Sequence, residues 1–150
     1  MIRKVAAYGN VLMMVTSIHH VYGAYVYDTP WRLHVLAFSI PIIAFNWYVS
    51  KKYKANKTIF YTFCGANLII TISLIGLFEG VYNHLVKNVL FYWNTDPETM
   101  ARLFPPPKYV LPNDFVFEFT GILQALLVIP LLYYFVRLIQ SKYKANDNVY

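Results

Sequence analysis

IHHVYGAYVYDTPWRLH, the stretch from Ile18 to His34, ends one long apolar segment and begins the next. It contains three of the four histidines of the chain, together with an aspartate, an arginine and several aromatic residues. Its central Asp28-Thr29-Pro30 favours a turn, because proline biases the residue before it away from helix and fits the first turn of the helix that follows. The stretch therefore predicts two consecutive helices with polar side chains gathered near the turn that joins them.

The composition of the 150-residue chain favours a membrane protein. Hydrophobic residues make up 58% of it and charged residues only 13%, about half the charged share of a soluble domain. A globule of this length cannot bury so much apolar side chain, which leaves the lipid bilayer as the expected solvent. The single cysteine, Cys64, excludes an intrachain disulfide and a cysteine-rich zinc or iron–sulfur site held by this chain alone.

Four apolar segments are long enough to cross a bilayer as helices. They cover approximately Val5–Tyr27, Trp31–Val49, Thr58–Val81 with a helical continuation to Tyr92, and Asn113–Ile139. The expected fold is an all-α, polytopic, four-transmembrane-helix bundle that forms a single domain over residues 1–150. Pro41 and Pro130 lie within the second and fourth segments, where each removes a backbone donor.

Basic residues are distributed unevenly between the two sides of this predicted bundle. Nine of the thirteen lie at alternate ends of the segments: Arg3, Lys4, Lys51, Lys52, Lys54, Lys57, Arg137, Lys142 and Lys144. The positive-inside rule then places both termini in the cytoplasm. Because these residues can face anionic headgroups, the formal net charge of +6 does not indicate nucleic acid as a partner. A multi-pass protein of a bacterial inner (plasma) membrane is expected.

The third and fourth segments are joined by a long outer connection. Asp96-Pro97-Glu98 is typical of a helix start, with a capping residue, a proline and an acid in the first turn. Met100, Leu103 and Phe104 then fall on one face, which predicts a short interfacial helix. The connection is interpreted either as a lid over the outer end of the bundle or as a plain ordered connector.

The pentapeptide Lys-Tyr-Lys-Ala-Asn occurs twice, at residues 52–56 and 142–146. Each copy follows a segment that runs from the outer to the inner side. A duplicated helical hairpin, with repeats 1–57 and 58–150, would explain the two copies, and so would the similar composition of two membrane edges.

Histidine or carboxylate side chains from all four segments are expected at one depth, near the outer face. With a rise of about 1.5 Å per residue, that level holds five candidate site residues: His20, His34, Glu79, His84 and Glu118. An ionisable side chain inside a bilayer is costly, so it usually turns inward, finds a partner and marks a functional site. The three histidines are candidate cofactor ligands, and the two glutamates are candidate metal ligands or catalytic groups.

Two alternatives to this site remain open at the level of sequence. His19 and His84 could be hydrated residues of the membrane interface. Glu79 and Glu118 could be structural partners of Arg32 or Lys87.

Neutral imidazole and carboxylate together suit zinc, iron or copper, and bundles hold such ligand sets in di-metal carboxylate proteins. The Glu-x-x-His motif of those proteins is absent. Glu79 and His84 are five residues apart, about 140° around an α-helix, so a mononuclear site is favoured. The alternatives are a b-type haem with two axial histidines, such as His20 with His34 or His84, and a metal-free acid and base pair.

The leading hypothesis for function is redox or acid/base chemistry on a small lipophilic partner, a quinone or a lipid. No phosphate-binding loop or nucleophile elbow points to phosphoryl or acyl transfer. A competing hypothesis is a non-catalytic accessory subunit, whose polar layer holds helices together and docks a larger membrane complex. A transporter is a third, and would require a homo-oligomer to form its path.

Overall fold

The computed structural model describes residues 1–52 and 56–147, with side chains up to residue 142. The chain is all-helical, and the described ranges contain no strand. The helices are α1 (Ile2–Val26), α2 (Leu36–Lys52, preceded by a 3₁₀ turn at Pro30–Val35), α3 (Lys57–Tyr92), α4 (Pro97–Leu103) and α5 (Phe115–Asp147). The prediction of an all-α fold is confirmed.

Three helical stretches are long and apolar enough to cross a membrane: Pro30–Lys52, Lys57–Tyr92 and Phe115–Lys142. α1 has 25 residues, a length of about 37 Å, but Asn10 and two adjacent histidines make it more polar. The repeated pentapeptide includes residues 53–55 and the side chains after residue 142, which lie outside the described part of the chain. The proposed duplication therefore stays a prediction.

α1 packs against α2, α3 and α5, and α3 and α5 pack against each other. A glycine permits the closest approach of α3 and α5, because a Cβ atom on Gly80 would lie 2.6 Å from the backbone nitrogen of Ala125. Contacts through small residues are typical of helices that pack in membranes. Helices α1, α3 and α5 thus enclose a common interior, and α2 packs mainly against α1 while its Asn46 contacts Asn67 of α3.

The middle of α3, Asn67–Val86, is a π-helix between two α-helical parts, Lys57–Ala66 and Lys87–Tyr92. Its backbone hydrogen bonds join residues five apart, so residues at this spacing lie on the same side of the helix. Glu79 and His84 have this spacing. The wide angle that α-helical geometry predicts for them is therefore wrong for this segment.

The connection between α3 and α5 is attached to the end of the bundle. The Tyr82 hydroxyl donates a hydrogen bond to the carbonyl oxygen of Leu103 at 3.0 Å. Lys87 Nζ donates another to the carbonyl oxygen of Val110 at 2.7 Å. α4 starts at the predicted cap, since Asp96 Oδ1 accepts from the Thr99 amide at 2.8 Å. The position of α4 at a membrane interface stays a prediction.

Candidate functional site

Three imidazoles converge on one carboxylate oxygen in the interior of the bundle. The Nε2 atoms of His20 and His84 each lie 3.6 Å from Glu79 Oε1, and that of His19 lies 3.8 Å from it. We refer to these four residues as the His/Glu cluster. Hydrogen bonds of this type measure about 2.7–3.2 Å, so these atoms face one another without being hydrogen-bonded. The three histidines are buried, with exposures of 0%, 8% and 2% for His19, His20 and His84.

The orientation of His19 is determined by α5. Its Nδ1 atom lies 2.9 Å from Thr120 Oγ1. The Thr120 hydroxyl also lies 2.8 Å from the Val116 carbonyl oxygen. When this hydroxyl donates to the backbone, Thr120 Oγ1 accepts from His19 Nδ1, and neutral His19 then presents the lone pair of Nε2 to Glu79. This Nε2 atom is buried and has no hydrogen-bond partner among the described residues.

His84 is held in the same manner by a carboxylate. Its Nδ1 atom donates to Glu118 Oε2 at 2.9 Å, and Lys87 Nζ lies 2.9 Å from Glu118 Oε1 and neutralises this acid. The His84 ring packs against Gly121, where an added Cβ would lie 2.1 Å from His84 Cγ. Only glycine fits there, so α5 supplies both the hydrogen-bond partner and the space that position this imidazole.

Glu79 supplies the carboxylate of the cluster, and its charge is not neutralised by a lysine or an arginine among the described residues. Its Oε2 atom accepts a hydrogen bond from Asn83 Nδ2 at 2.7 Å, which turns Oε1 toward the histidines. Within residues 1–52 and 56–142, neither Arg32 nor Lys87 forms an ion pair with Glu79. Its negative charge can therefore balance a bound cation.

The distances in the cluster suit the donor atoms of a metal ion. Bonds of about 2.0–2.1 Å place the donors of a tetrahedral site about 3.4 Å apart, slightly closer than the nitrogens and the carboxylate oxygen observed here. Donor atoms of His19, His20 and Glu79 all lie within 4.8 Å of one another. A histidine whose Nδ1 is hydrogen-bonded and whose Nε2 is free is the usual form of a metal-binding histidine. His19, His20 and Glu79 can therefore offer ligand atoms to one metal ion.

Of the five residues that the sequence predicts for the site, three belong to the cluster: His20, Glu79 and His84. Glu118 lies outside the cluster, where it contacts His84 and forms an ion pair with Lys87. The Glu118–Lys87 pair that the sequence offered as an alternative is therefore present. His34 is exposed, its Nδ1 lies 2.6 Å from the Trp31 carbonyl oxygen, and its ring centroid lies 6.2 Å from that of His20.

His19 is the member of the cluster that sequence reasoning did not select. The alternative that treats His19 and His84 as hydrated interfacial residues does not agree with their burial. Adjacent histidines point about 100° apart on an α-helix, and only the rotation of α1 against α3 and α5 determines which one faces inward. Here Glu79 lies between the two imidazoles.

A cavity of about 190 Å³ adjoins the cluster and reaches His20, Glu79 and His84. Its other walls include Trp31, Phe78 and the predicted site residue His34 from the bundle, and Lys108 and Tyr109 from the outer connection. Burial raises the pKa of Tyr109 above its ordinary value, so its phenol stays protonated at neutral pH. The cavity gives a small ligand access to the cluster.

These features define the class of protein as an all-helical bundle that has apolar helices compatible with a membrane and a buried His/Glu cluster. Comparison of the chain with protein-family models, curated proteins and solved structures found no match. Proposals for its function therefore depend on the geometry of the fold and the cluster.

Proposed function

We propose that this chain is an integral membrane protein that crosses the bilayer four times, with both termini in the cytoplasm. Three of the four helices have the length and apolarity of membrane spans. α1 is the fourth, because it packs against all three and its polar residues His19 and His20 face the interior. The excess of basic residues at one end of the bundle supports the orientation.

We propose that the His/Glu cluster binds one transition-metal ion and uses it in redox or acid/base chemistry on a small lipophilic partner, a quinone or a lipid. The observation that carries this proposal is the buried, unpartnered Nε2 atom of His19, which faces Glu79 Oε1 at 3.8 Å. A buried nitrogen without a partner is rare in proteins, and a metal ion would satisfy it. The mixed imidazole and carboxylate set suits zinc, iron or copper.

A single metal ion is favoured over the alternatives. A second ion would need a second free carboxylate, and Glu118 is neutralised by Lys87. Axial histidines of a haem lie on opposite sides of a flat macrocycle, whereas the cluster histidines converge on one oxygen atom. The cavity of about 190 Å³ beside the cluster has the volume of about six water molecules, which suits a headgroup or ring rather than a whole lipid.

The test is elemental analysis and absorption spectroscopy of protein purified in mild detergent without chelator. We expect about one equivalent of zinc, iron or copper per chain and no Soret band. His19→Ala should lose the metal, and the matched variant His34→Ala should retain it, because His34 is exposed and outside the cluster. A Soret band that shifts on reduction would instead identify haem, and a folded, metal-free wild type would contradict both cofactor proposals.

A second candidate function is metal-free acid/base chemistry. The hydrogen bonds from His84 and Lys87 to Glu118 form a connected set of titratable groups next to Glu79. Such a set can move a proton between the cavity and the interior. Two results together would favour this candidate. The folded wild type contains no metal but acts on a lipophilic substrate, and the Glu79→Gln variant loses that activity. An accessory subunit would lose only stability or its partner in that variant.

A further inference from the structure

The side of α3 that packs against α1 and α5 carries a series of polar residues. They are Asn67, Thr71, Glu79, Asn83 and Lys87, and Ile75 interrupts the series. All except Glu79 are less than 10% exposed. This face points into the interior shared by α1, α3 and α5, so the polar side chains extend along the bundle well beyond the His/Glu cluster.

Two hydrogen-bonded pairs join α1 to α5 in this interior. The first is His19 with Thr120. The second is Thr16, whose hydroxyl donates to Gln124 Oε1 at 2.8 Å, and both of these residues have no exposed surface. Thr16 precedes His19 by three residues and Gln124 follows Thr120 by four. The second pair therefore lies about one turn farther from the cluster, toward the end of the bundle where α1 begins.

A third pair lies farther in the same direction. The side-chain amides of Asn46 and Asn67 hydrogen-bond each other, at 3.3 Å and 2.8 Å, and neither residue is exposed. Gly9 faces this pair, because a Cβ there would lie 2.8 Å from Asn67 Oδ1 and 3.8 Å from the methyl group of Thr71. Between the levels of Gly9 and Thr16 the interior contains the apolar side chains of Leu12 and Met13.

A cavity with polar walls lies near each end of this series. The cavity beside the His/Glu cluster is the one described above. At the other end, a cavity of about 260 Å³ is lined by Asn10, Ser50, Arg3 and Lys51. The basic residues at its rim belong to the end of the bundle that carries the N-terminus and the end of α2.

Buried atoms without a hydrogen-bond partner lie along the same series. Among the described residues these atoms are Asn10 Oδ1, Thr71 Oγ1, Gln124 Nε2, His19 Nε2, His20 Nδ1 and Asn83 Oδ1. Buried polar atoms in folded proteins almost always bond to protein or to ordered water. These atoms lie at successive levels between the two cavities, and ordered water is a common partner of such atoms.

We propose that this series of polar side chains is a proton path that connects the basic end of the bundle with the His/Glu cluster. Chains of polar and titratable side chains inside membrane helices commonly serve as proton relays. A proton enters at the cavity of Asn10, moves through hydroxyl groups, imidazoles and water that the amide side chains hold in place by hydrogen bonds, and leaves at the cavity beside Glu79. No covalent bond other than O–H and N–H changes, and movement of a counter-ion across the membrane balances the charge.

The test measures proton entry into liposomes that contain the wild-type protein and the trapped pH indicator pyranine, with a potassium gradient and valinomycin to set the membrane potential. We expect a faster pH change than in protein-free liposomes. Thr16→Val with Gln124→Leu should reduce it to the protein-free rate. Since both partners of one hydrogen bond become apolar groups of similar size, the fold should be retained, which the melting temperature checks.

A matched control is Ser17→Ala with Ser39→Ala. This pair also joins two helices through a 2.8 Å hydrogen bond, but it lies between α1 and α2, outside the proposed path, so proton entry should be unchanged. Equal rates in wild type and in the Thr16/Gln124 variant, or a wild type no faster than protein-free liposomes, would overturn the proposal. Metal content is measured in the same samples, and a variant that keeps the metal while losing proton entry separates the path from the metal centre.

Discussion

The Nε2 atom of His84 lies 3.6 Å from Glu79 Oε1, and the two residues are five positions apart in the chain. The π-helical backbone of Asn67–Val86 brings them to one side of α3. An α-helix would point them about 140° apart. Local π-helical geometry is frequent at functional sites, and here it lets a single helix supply both the carboxylate and one imidazole of the cluster.

Gly121→Ala should disrupt the cluster without altering any polar residue. An added Cβ would lie 2.1 Å from His84 Cγ, so the imidazole must move. We expect a loss of about 1–3 kcal/mol in the free energy of unfolding together with weaker metal binding. The measurements are thermal unfolding in detergent and metal content. Gly65→Ala is the control, because nothing lies within 4 Å of the position that its Cβ would occupy and alanine favours helix; an equal effect of both variants would contradict the prediction.

Thr120→Val should weaken the proposed metal binding while the proposed ligands stay in place. The substitution removes the hydrogen-bond partner of His19 Nδ1, which orients this imidazole toward Glu79. Loss of such a partner typically weakens metal binding about 10–100-fold. Competition with a metal indicator measures the affinity. The control is Thr62→Val at an exposed position of α3, which should bind as wild type; the same affinity in both variants would refute this role of Thr120.

Asn67→Leu should destabilise the bundle more than the double change Asn46→Leu with Asn67→Leu. The single variant leaves the amide of Asn46 buried without its partner, a cost of about 1–3 kcal/mol. The double variant removes both polar groups from the interior. Thermal unfolding of the two variants in detergent provides the comparison. If the double variant were less stable than the single one, the amide pair would have another structural role.

Acid should loosen the start of α4. The hydrogen bond from the Thr99 backbone amide holds the pKa of Asp96 below its ordinary value of 3.8. A carboxylate with a lowered folded-state pKa stabilises the helix above the unfolded-state pKa, and this contribution is lost as the pH falls through the folded-state pKa. Protection of the Thr99 amide from hydrogen exchange, corrected for the intrinsic rate, should therefore decrease below about pH 4.

The variant Asp96→Asn is the control for this pH dependence. Asparagine also accepts the capping hydrogen bond but does not titrate. Its amide protection should stay constant over the same pH range. A parallel decrease in wild type and variant would assign the loosening to some other group.

Much of the fold can be predicted from the sequence, because helix length and apolarity are local properties. The continuous helix Lys57–Tyr92 was expected from an apolar run and its polar continuation. The start of α4 was expected from Asp96 and Pro97, whose effects on the backbone act within one turn. The number of membrane crossings and the cytoplasmic termini stay predictions.

The candidate site was predictable only in part. Depth along each helix follows from counting residues, and this count selected Glu79, His84 and His20. Which side of a helix faces its neighbours depends on how the helices pack. This packing buries His19 and leaves His34 exposed. Nor does residue counting reveal that Glu118 is engaged by Lys87 and therefore supports His84 instead of reaching the centre of the cluster.

The sequence by itself determined that the chain is helical and rich in apolar segments, and it predicted the level of each candidate histidine and glutamate along its own segment, because these depend on composition and spacing along a single segment. Only the tertiary structure decided which of those side chains meet. The π-helical segment Asn67–Val86 of α3, the glycine at position 121 and the rotation of α1 each determine where the histidines and Glu79 point. Contacts between residues far apart in the chain determine these positions, and the proposed metal site and proton path depend on them.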